Sequence, residues 1–387
     1  MKKFLRHIFL MLLAATFALS CVSCGSGEAE LPSESDNESV EADETESETE
    51  PELPAEPTLV TYSPIIEYDR FRFIGRMNPG DEGVFWDYSA SGIEFCGEIV
   101  GDVVLSLSCD RDTYFTVYVD SERVDERFLA TAEDESLTVA SFDEVGLHTV
   151  KVLRQTEMQW SLAVLESVTV TGVLHEAPAN RDILIEFIGD SLTSGYGNLG
   201  GHSAPDAGIA LYEDGTKTYA FLTAEALGAD ANVVSCSGIG IAAGWTNFNE
   251  MEFYKSASFY RNRDVTYENN TKVPDLVVIN LGANDLGVGS DIDAFKIGVR
   301  ELIEYVRDFY DADIPIVWAY GIVGEENTDY MKTMRAVLEE MGGEDKGLYH
   351  VKLSYSRDGG GAHPSLTGHE MSSRKLLKFI KEKGFFE

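Results

Sequence analysis

The sequence predicts a two-part protein in which an all-β region precedes an α/β region with a parallel sheet. Residues 59–176 alternate apolar and polar residues with a period of two, as in Val103, Leu105 and Leu107 between serines. Residues 183–387 instead alternate short apolar runs with helical patterns, which is the order of a doubly wound parallel sheet. A chain of 387 residues is also long enough for two folded domains.

Residues 1–23 have the form of an export signal. The basic start MKKFLR precedes the apolar run IFLMLLAATFAL, which is too short for a comfortable membrane span. The next stretch, LSCVSCGSG, resembles a bacterial lipoprotein signal, in which one cysteine becomes the lipidated first residue. We therefore expect an exported protein, either a cell-surface lipoprotein lipidated at Cys21 or Cys24, or a secreted protein after ordinary cleavage.

Residues 24–58 are predicted to form an acidic, disordered linker. Residues 28–57 contain 13 acidic residues, four prolines and no Lys or Arg, so they cannot bury a core. This segment is either a stalk or a solvating tail. The formal charge of the whole chain is −37, which disfavours nucleic acid and anionic membranes as partners. Attachment to a membrane is expected only through a lipid anchor.

Residues 59–176 are predicted to form a β-sandwich or jelly roll, because short strands recur between turn signals. Its strand-like runs are VVLSLSC, YFTVYVD, HTVKVL and SVTVTG. Three cysteines lie beyond the signal region, and an odd number argues against a full disulfide framework. We expect Cys96, Cys109 and Cys236 to be small buried apolar residues.

The α/β region, residues 183–387, contains five predicted strands and four predicted helices. The strands are ILIEFI, ANVVSC, PDLVVINL, IPIVWAY and LYHVKL. The helices are KTYAFLTAEALG, DIDAFKIGVRELIEYVRDFY, DYMKTMRAVLEEMG and HEMSSRKLLKFIKEKG. Thr367 and Glu370 have the spacing of a capping box, which predicts the start of the last helix.

Four polar motifs follow four different strands of this region. They are GDSLTSGYGN (189–198), SGIGIAAGW (237–245), GANDLG (282–287) and GGAHPS (360–365). Because parallel strands end at one edge of the sheet, we expect all four motifs to lie together.

The residue types in these motifs fit acyl transfer. A serine nucleophile at Ser191 would need a base, for which His363 is the candidate, and donors for an oxyanion. The backbone N–H groups of Ser191 and Gly238 and the side-chain amide of Asn284 are the candidate donors. Taken singly, each of these residues is also typical of an ordinary turn or helix cap.

The four motifs together resemble those of the SGNH (GDSL-type) hydrolases. The extended first motif, the CSGIGI block and the preceding β-region resemble in particular the family two carbohydrate esterases, the bacterial acetyl xylan esterases. The resemblance implies a three-layer SGNH hydrolase domain behind a jelly roll, acting as a serine esterase on acetylated plant polysaccharides. It implies Ser191 as nucleophile, His363 as base, and Ser191, Gly238 and Asn284 as the oxyanion hole, without a cofactor.

The sequence departs from the family at the catalytic acid. SGNH enzymes generally have Asp three residues before the histidine, where this chain has Gly360. The chain resembles the branch that orients the histidine through a backbone carbonyl, which can accept a hydrogen bond from Nδ1–H. Asp358 is the rival third catalytic residue, although it also fits an ordinary turn position.

Other interpretations remain open from the sequence. A non-catalytic glycan-binding lipoprotein, or a lipase or thioesterase of the same fold, would carry the same motifs. Trp245 could stack on a sugar ring or belong to the core. Neither a dinucleotide site nor a Cys236 nucleophile has the required spacing or partner, and His363 and His369 lack metal-ligand spacing.

Overall fold

The computed structural model covers most of the chain beyond the predicted signal and linker. It describes residues 56–204, 210–268, 272–310 and 313–386. The predicted signal peptide, both candidate lipidation sites Cys21 and Cys24, and nearly all of the acidic linker lie outside the described residues. The described residues belong to one compact unit.

The N-terminal region forms one large antiparallel sheet. Its strands are β1 (Leu59–Tyr62), β2 (Arg72–Ile74), β3 (Asn78–Pro79), β4 (Val84–Phe85), β5 (Gly92–Cys109), β6 (Thr113–Val119), β7 (Glu122–Arg123), β8 (Phe128–Ala130), β9 (Ser136–Arg154) and β10 (Ala163–Leu174). The main strand order is β3-β4-β10-β5-β9-β6-β7. The prediction of an antiparallel all-β region is confirmed, while its topology as a jelly roll stays a prediction.

Alternation along the central strands builds the core of this sheet. On β5 the side chains of Val103, Leu105 and Leu107 are fully buried, as the period of two predicts. Across the ladder, Phe95 pairs with Val150 of β9, and both are buried as well. Because each residue step turns the side chain to the opposite face, the pairing register is fixed by this buried set.

The C-terminal region is an α/β unit with a parallel sheet. Its elements are β11 (Leu184–Gly189), α1 (Ser191–Ser194), α2 (Tyr219–Ala226), β12 (Asp230–Ser235), α3 (Glu250–Lys255), β13 (Ser256–Ser258), α4 (Phe259–Asn262), β14 (Arg263–Thr266), β15 (Leu276–Asn280), α5 (Ala283–Val288), α6 (Ile292–Tyr310), β16 (Ile316–Tyr320), α7 (Asp329–Glu340), β17 (Leu348–Lys352) and α8 (Leu366–Lys383). The parallel sheet has the order β12-β11-β15-β16-β17. All five predicted strands are confirmed.

Helices cover both faces of the parallel sheet. On one face, Ile188 and Ile279 of the sheet pack in the same cluster as Phe295 of α6 and Met334 of α7. On the other face, strand residues such as Phe187 share a cluster with residues of α2 and α8. Both faces of the inner strands β15 and β16 are therefore buried, which explains why these two strands are almost continuously apolar instead of alternating.

The β-region packs directly on the α/β region. Tyr88 and Met158 of the β-region are buried in the cluster on the α6 side of the parallel sheet. Arg72 Nη1 donates a hydrogen bond of 2.6 Å to Asp230 Oδ1 at the start of β12. Met158 belongs to the segment between β9 and β10, so this segment reaches the neighbourhood of the parallel sheet.

The start of the last helix differs from the prediction. The N-cap of α8 is Ser365, whose hydroxyl accepts from Gly368 N at 3.3 Å. The capping box of Thr367 and Glu370 is therefore wrong, because Thr367 already lies within the helix and Glu370 pairs with Arg374 at 3.5 Å. Ser365 follows a proline and has an extended backbone, so it takes the cap position two residues earlier.

Candidate active site

The first motif places Ser191 at the carboxyl end of a central strand. β11 ends at Gly189, and Ser191 is the first residue of the short helix α1. Asp190 is the N-cap, and its carboxyl accepts from Leu192 N at 2.9 Å. A Cβ at Gly189 would lie 2.1 Å from the hydroxyl of Thr193, so only glycine allows this tight turn. Ser191 itself is only 7% exposed.

His363 lies beside this serine. His363 Nε2 is 2.9 Å from Ser191 Oγ, although the two residues are 172 positions apart in the chain. On the other side of the ring, Nδ1 lies 3.0 Å from the backbone carbonyl oxygen of Gly361. With the Nδ1 proton donated to that carbonyl, Nε2 is left free to accept the serine proton.

Backbone contacts hold the glycine loop that carries this carbonyl. Gly360 N donates to Gly197 O at 2.9 Å, and His363 N donates to Gly360 O at 3.1 Å. Gly361 has φ +58°, in the left-handed region that favours glycine. Gly197 has φ +69°, and a Cβ there would lie 2.4 Å from Gly360 O. The GYG part of the first motif therefore supports the histidine loop.

Asp358 lies away from the ring nitrogen of His363. Its carboxylate accepts hydrogen bonds from the hydroxyl of Ser356 and, at 2.8 Å, from the hydroxyl of Ser365, the N-cap of α8. The hydrogen bond from Ser356 is the main reason why the pKa of Asp358 lies below its usual value. The Gly361 carbonyl, and not Asp358, lies at Nδ1 in this arrangement, and the role of Asp358 as a third catalytic residue stays a prediction.

Asn284 joins the first three motifs. Its amide Nδ2 donates to Asp190 Oδ2 at 3.1 Å and to the backbone oxygen of Ile239 at 2.8 Å. These acceptors are the neighbours in sequence of Ser191 and Gly238, so the three candidate oxyanion donors lie close together. Gly238 has φ +81°, which a side chain would strain. Its backbone N–H has no acceptor within the described ranges.

The loop after Gly238 is fixed by Asp285, a residue that the sequence analysis did not single out. The Asp285 carboxylate is fully buried and accepts from the backbone N–H groups of Ile241 and Ala242, each at 2.8 Å, and of Ala243 at 3.2 Å. The signal available in the sequence was its position directly after Asn284 in the GANDLG motif.

The carboxyl next to the serine is electrostatically unusual. Asp190 is fully buried, and burial raises its pKa to about 8. At neutral pH this carboxyl is therefore mostly protonated, so it adds little negative charge beside Ser191. No sequence pattern predicts this shift, because the burial of Asp190 depends on the packing of distant segments.

Two side chains of the β-region, Glu157 and Trp160, and one of the first motif, Tyr196, also lie near the site. Glu157 accepts from the backbone N–H of Ser237, which directly precedes Gly238, at 2.7 Å. The rings of Trp160 and Tyr196 lie 6.0 Å apart, and the rings of Tyr196 and His363 lie 4.5 Å apart. Glu157 and Trp160 lie between strands of the β-region, where no motif marked them in the sequence, whereas Tyr196 lies within the first motif but was not singled out.

Trp245 is 72% exposed, so the alternative that it is a core residue is wrong. It lines an open groove whose other residues include Gln159, Tyr260 and Arg261. Cys236, by contrast, is fully buried, and burial raises the pKa of its thiol well above the usual value. A buried packing role, as expected, is consistent with this environment.

The other cysteines that the structure describes are unpaired, and the same part of the chain contains neither a metal-binding cluster nor a membrane-spanning helix. Cys96 and Cys109 are free thiols, of which Cys109 is buried and Cys96 is partly exposed. Within the described ranges, no three or more His, Cys, Asp or Glu side chains are grouped so that they could hold a metal ion. In the same part of the chain, no helix is long and apolar enough to cross a membrane.

Several known proteins are similar to this chain in sequence and in fold. The GDSL-like Lipase/Acylhydrolase family matches residues 187–371. Cellulase/esterase CelE of Acetivibrio thermocellus is 28% identical over 336 residues, which cover 82% of this chain. An acetylxylan esterase/glucomannan deacetylase of Cellvibrio japonicus is 26% identical over 256 residues, covering 62% of this chain and 70% of that protein.

A solved structure also resembles the chain closely. It is a family two carbohydrate esterase from Clostridium thermocellum in complex with cellohexaose, 26% identical with a TM-score of 0.74, and the match covers 82% of this chain and 100% of that one. The chain spans only 39% of the length of CelE. Residues 187–371 thus match the GDSL-like Lipase/Acylhydrolase family, and the chain as a whole is similar to family two carbohydrate esterases.

Proposed function

We propose that this chain is a carbohydrate esterase that removes O-acetyl groups from plant cell-wall polysaccharides through a serine acyl-enzyme. The observation that carries the proposal is the contact of 2.9 Å between Ser191 Oγ and His363 Nε2, with the other ring nitrogen on a backbone carbonyl. The similarity to carbohydrate esterases supports the proposed substrate class. The proposal includes the division into a jelly roll at 59–176 and a hydrolase domain at 183–387.

In the acylation half, Ser191 Oγ attacks the carbonyl carbon of the acetyl ester while His363 Nε2 takes the hydroxyl proton. The tetrahedral intermediate collapses when the bond to the sugar oxygen breaks. His363 gives its proton to that oxygen, so the sugar leaves as a neutral alcohol and Ser191 carries the acetyl group.

In the deacylation half, water attacks the acetyl-serine. His363 Nε2 takes one proton from the water, and the second tetrahedral intermediate collapses to acetic acid as the bond to Ser191 Oγ breaks. The acetic acid then loses its proton to the solvent. The proton on His363 then returns to Oγ. No cofactor takes part in either half of this scheme.

The oxyanion is assigned to the backbone N–H groups of Ser191 and Gly238 and to the amide of Asn284. The first N–H of a helix has no partner within the helix, which leaves that of Ser191 available. In the resting arrangement Asn284 donates to Ile239 O and, at 3.1 Å, to the mostly neutral carboxyl of Asp190. A charged oxyanion is a better acceptor than that neutral carboxyl. We therefore expect Asn284 Nδ2 to exchange its hydrogen bond to Asp190 for one to the oxyanion and to keep the bond to Ile239 O.

His363 works in this proposal as one half of a Ser191–His363 dyad. The Gly361 carbonyl oxygen accepts the Nδ1 proton and so fixes the tautomer and the ring orientation. Tyr196 packs beside the ring and restricts its rotation. A carbonyl stabilises the imidazolium less than a carboxylate does, so we expect a weaker general base than in a triad.

The groove that Trp245 lines is the proposed path for the sugar chain. An exposed indole next to Gly238 offers a flat apolar face, and Gln159, Asn247 and Asn262 supply polar groups in the same groove. Trp245→Ala should raise KM for acetylated oligosaccharides while leaving kcat for a small acetyl ester nearly unchanged. Equal effects on both substrates would remove Trp245 from the sugar site.

The direct test is release of acetate from acetylated xylan, glucomannan and pectin by the purified protein, with Ser191→Ala as control. We expect release from at least one polysaccharide and a loss of nearly all activity in the variant. Residual activity of about a tenth or more in Ser191→Ala would overturn the serine mechanism. A preference for long acyl chains over acetate would favour a lipase or thioesterase instead.

A glycan-binding role of the same site is the second candidate. The observation that favours it is the similarity to a carbohydrate esterase whose structure holds cellohexaose. Calorimetric titration of cellohexaose into Ser191→Ala would measure binding without turnover. Binding by a protein that releases no acetate from any of the three polysaccharides would favour this second candidate.

The proposed location is the cell surface. We infer export from the charged and apolar start of the sequence, and attachment through a lipid on Cys21 or Cys24. The 13 acidic residues of the segment 28–57 would repel anionic headgroups, so a lipid and not electrostatic attraction would hold the protein.

A further inference from the structure

We propose that Glu157 of the β-region is a positioning residue for the oxyanion hole, and that its protonated form is the active one. The proposal rests on the esterase function above. It gives the β-region a part in catalysis that does not require contact with the sugar chain.

The contact runs from the β-region to the turn that carries Gly238. Glu157 lies in the segment between β9 and β10 and is fully buried. Its Oε2 accepts from the backbone N–H of Ser237 at 2.7 Å and from the hydroxyl of Ser194 at 3.3 Å. Because Ser237 directly precedes Gly238, this bond fixes the peptide unit that comes immediately before the one carrying the Gly238 N–H. Ser194 belongs to α1, which starts at Ser191, so one carboxyl joins both sides of the site.

A second buried carboxyl holds Glu157 in place. Glu157 N donates to Glu213 Oε1 at 2.6 Å, and Trp160 Nε1 donates to Glu213 Oε2 at 2.8 Å. Arg154 donates from Nη2 to the backbone oxygen of Glu157 at 3.1 Å, so the guanidinium binds the main chain and not the carboxylate. The main chain of Glu157 is therefore held by hydrogen bonds to both Glu213 and Arg154.

The two carboxyl groups are hydrogen-bonded to neutral donors. Within the described ranges, the donors to Glu157 are Ser237 N and the Ser194 hydroxyl, and the donors to Glu213 are Glu157 N and Trp160 Nε1. Neither carboxyl forms an ion pair there, and both are almost completely buried. Glu157 Oε1 also has no hydrogen-bond partner there. An unpaired charge in such a place is costly, which favours the protonated acid.

The charged and titratable groups around Glu157 favour its protonated, neutral form. Those that face it are Arg154, Glu213, Asp190, Cys236 and Tyr260. Burial is the main reason why the pKa of Glu157 is raised to about 7. Burial also raises the pKa of Glu213 well above its usual value. Only one of these neighbours is a cation, so ionisation of Glu157 would add negative potential where the oxyanion forms.

This charge argument predicts a falling alkaline limb in the pH profile. While Glu157 is protonated, it still accepts the Ser237 hydrogen bond through its carbonyl oxygen and adds no charge. Once ionised, it opposes the developing oxyanion, so kcat should fall about tenfold or more between pH 6 and pH 9. KM should change little, because the ester is neutral in the ground state.

The test compares Glu157→Gln and Glu157→Ala with the wild type on one small acetyl ester, measuring kcat and KM from pH 5 to pH 9. Glutamine retains an oxygen for the Ser237 N–H but cannot ionise, so its kcat at pH 6 should lie within about threefold of wild type. Its alkaline fall should be clearly smaller than that of the wild type, leaving only the share that ionisation of Asp190 causes. Alanine loses the acceptor, and kcat should fall about tenfold or more at every pH. If alanine does not fold, glutamine alone decides the question.

Glu325→Gln is the matched control. Glu325 is also a buried carboxylate that accepts two backbone N–H groups, from Gly321 at 2.6 Å and Val323 at 3.1 Å. It adds negative potential at Asp190 but does not contact the Gly238 turn. We expect its variant to keep the alkaline fall of the wild type. Loss of that fall in both variants would show a general effect of buried charge and would overturn the proposal.

Stability gives a readout that does not depend on activity. The folded pKa of Glu157 lies above its unfolded value of about 4.3, so its contribution to stability is full below that value and is lost as pH rises through about 7. Between pH 5 and pH 8 the wild type should therefore lose more stability to urea than Glu157→Gln does.

The two possible failures are distinguishable. If Ser191→Ala is inactive while Glu157→Gln shows the wild-type pH profile and the wild-type change in stability, the positioning role is wrong and the esterase function stands. If Ser191→Ala remains active, the esterase mechanism itself is wrong, and the role of Glu157 in it falls as well.

Discussion

Replacing Asp358 with Ala tests whether His363 works without a carboxylate partner. Asp358 binds the hydroxyl groups of Ser356 and Ser365, and the Gly361 carbonyl lies 3.0 Å from His363 Nδ1. Removal of a working triad aspartate costs roughly 10⁴ in kcat, or about 5.5 kcal/mol. In Asp358→Ala the bond from Nδ1 to the carbonyl remains, so only loosening of the loop contributes. We expect a loss of less than about tenfold, which corresponds to about 1.4 kcal/mol.

The assay is kcat on a single acetyl ester for four proteins: wild type, Asp358→Ala, Asp358→Asn and His363→Ala. Asparagine retains an acceptor for one of the two serine hydroxyl groups and so controls for disturbance of the loop. His363→Ala should lose at least about 10³, because the serine then has no base. A loss near 10⁴ for both Asp358 variants would refute the dyad, since it would mean that the carboxylate moves to the histidine during the reaction.

Three further predictions follow from the site, its glycine loop and the signal region. Asn284→Ala should lower kcat by roughly 10²–10³, and an unchanged kcat would leave Asn284 with a structural role only. Gly197→Ala should destabilise the protein by more than about 2 kcal/mol and reduce activity, because its Cβ would lie 2.4 Å from a backbone oxygen of the histidine loop. Gly101→Ala is the control, because Gly101 has a similar φ of +70° but a Cβ there would meet no atom within 4 Å. Its free energy of unfolding in urea should fall by only about 1 kcal/mol, and its kcat should be normal. Protein from its own host should incorporate radiolabelled fatty acid, and Cys21→Ala with Cys24→Ala should abolish this; unlabelled wild-type protein would contradict lipidation.

Much of the fold could be predicted from the sequence because its signals are local. A period of two in VVLSLSC and continuous apolar runs such as PDLVVINL are properties of neighbouring residues, and the strands β5 and β15 lie where these patterns are. The sequence also predicted that Ser191 and Asn284 lie close together, because both follow strand ends and parallel strands bring their carboxyl ends to one edge of the sheet. The start of α8 did not follow, because Ser365 and Thr367 are both good caps and only the backbone conformation chooses between them.

The sequence by itself determined which residue types were available for chemistry and at which strand ends they stand. The tertiary structure alone decided which partner meets the imidazole of His363, placing the Gly361 carbonyl at Nδ1 and turning Asp358 to two serines. It also brought Glu157 to Ser237, 80 positions along the chain, and left Trp245 exposed. The physical reason is that hydrogen bonds, burial and the resulting pKa shifts depend on packing between distant segments, whereas periodicity and turn chemistry depend only on neighbours in the chain.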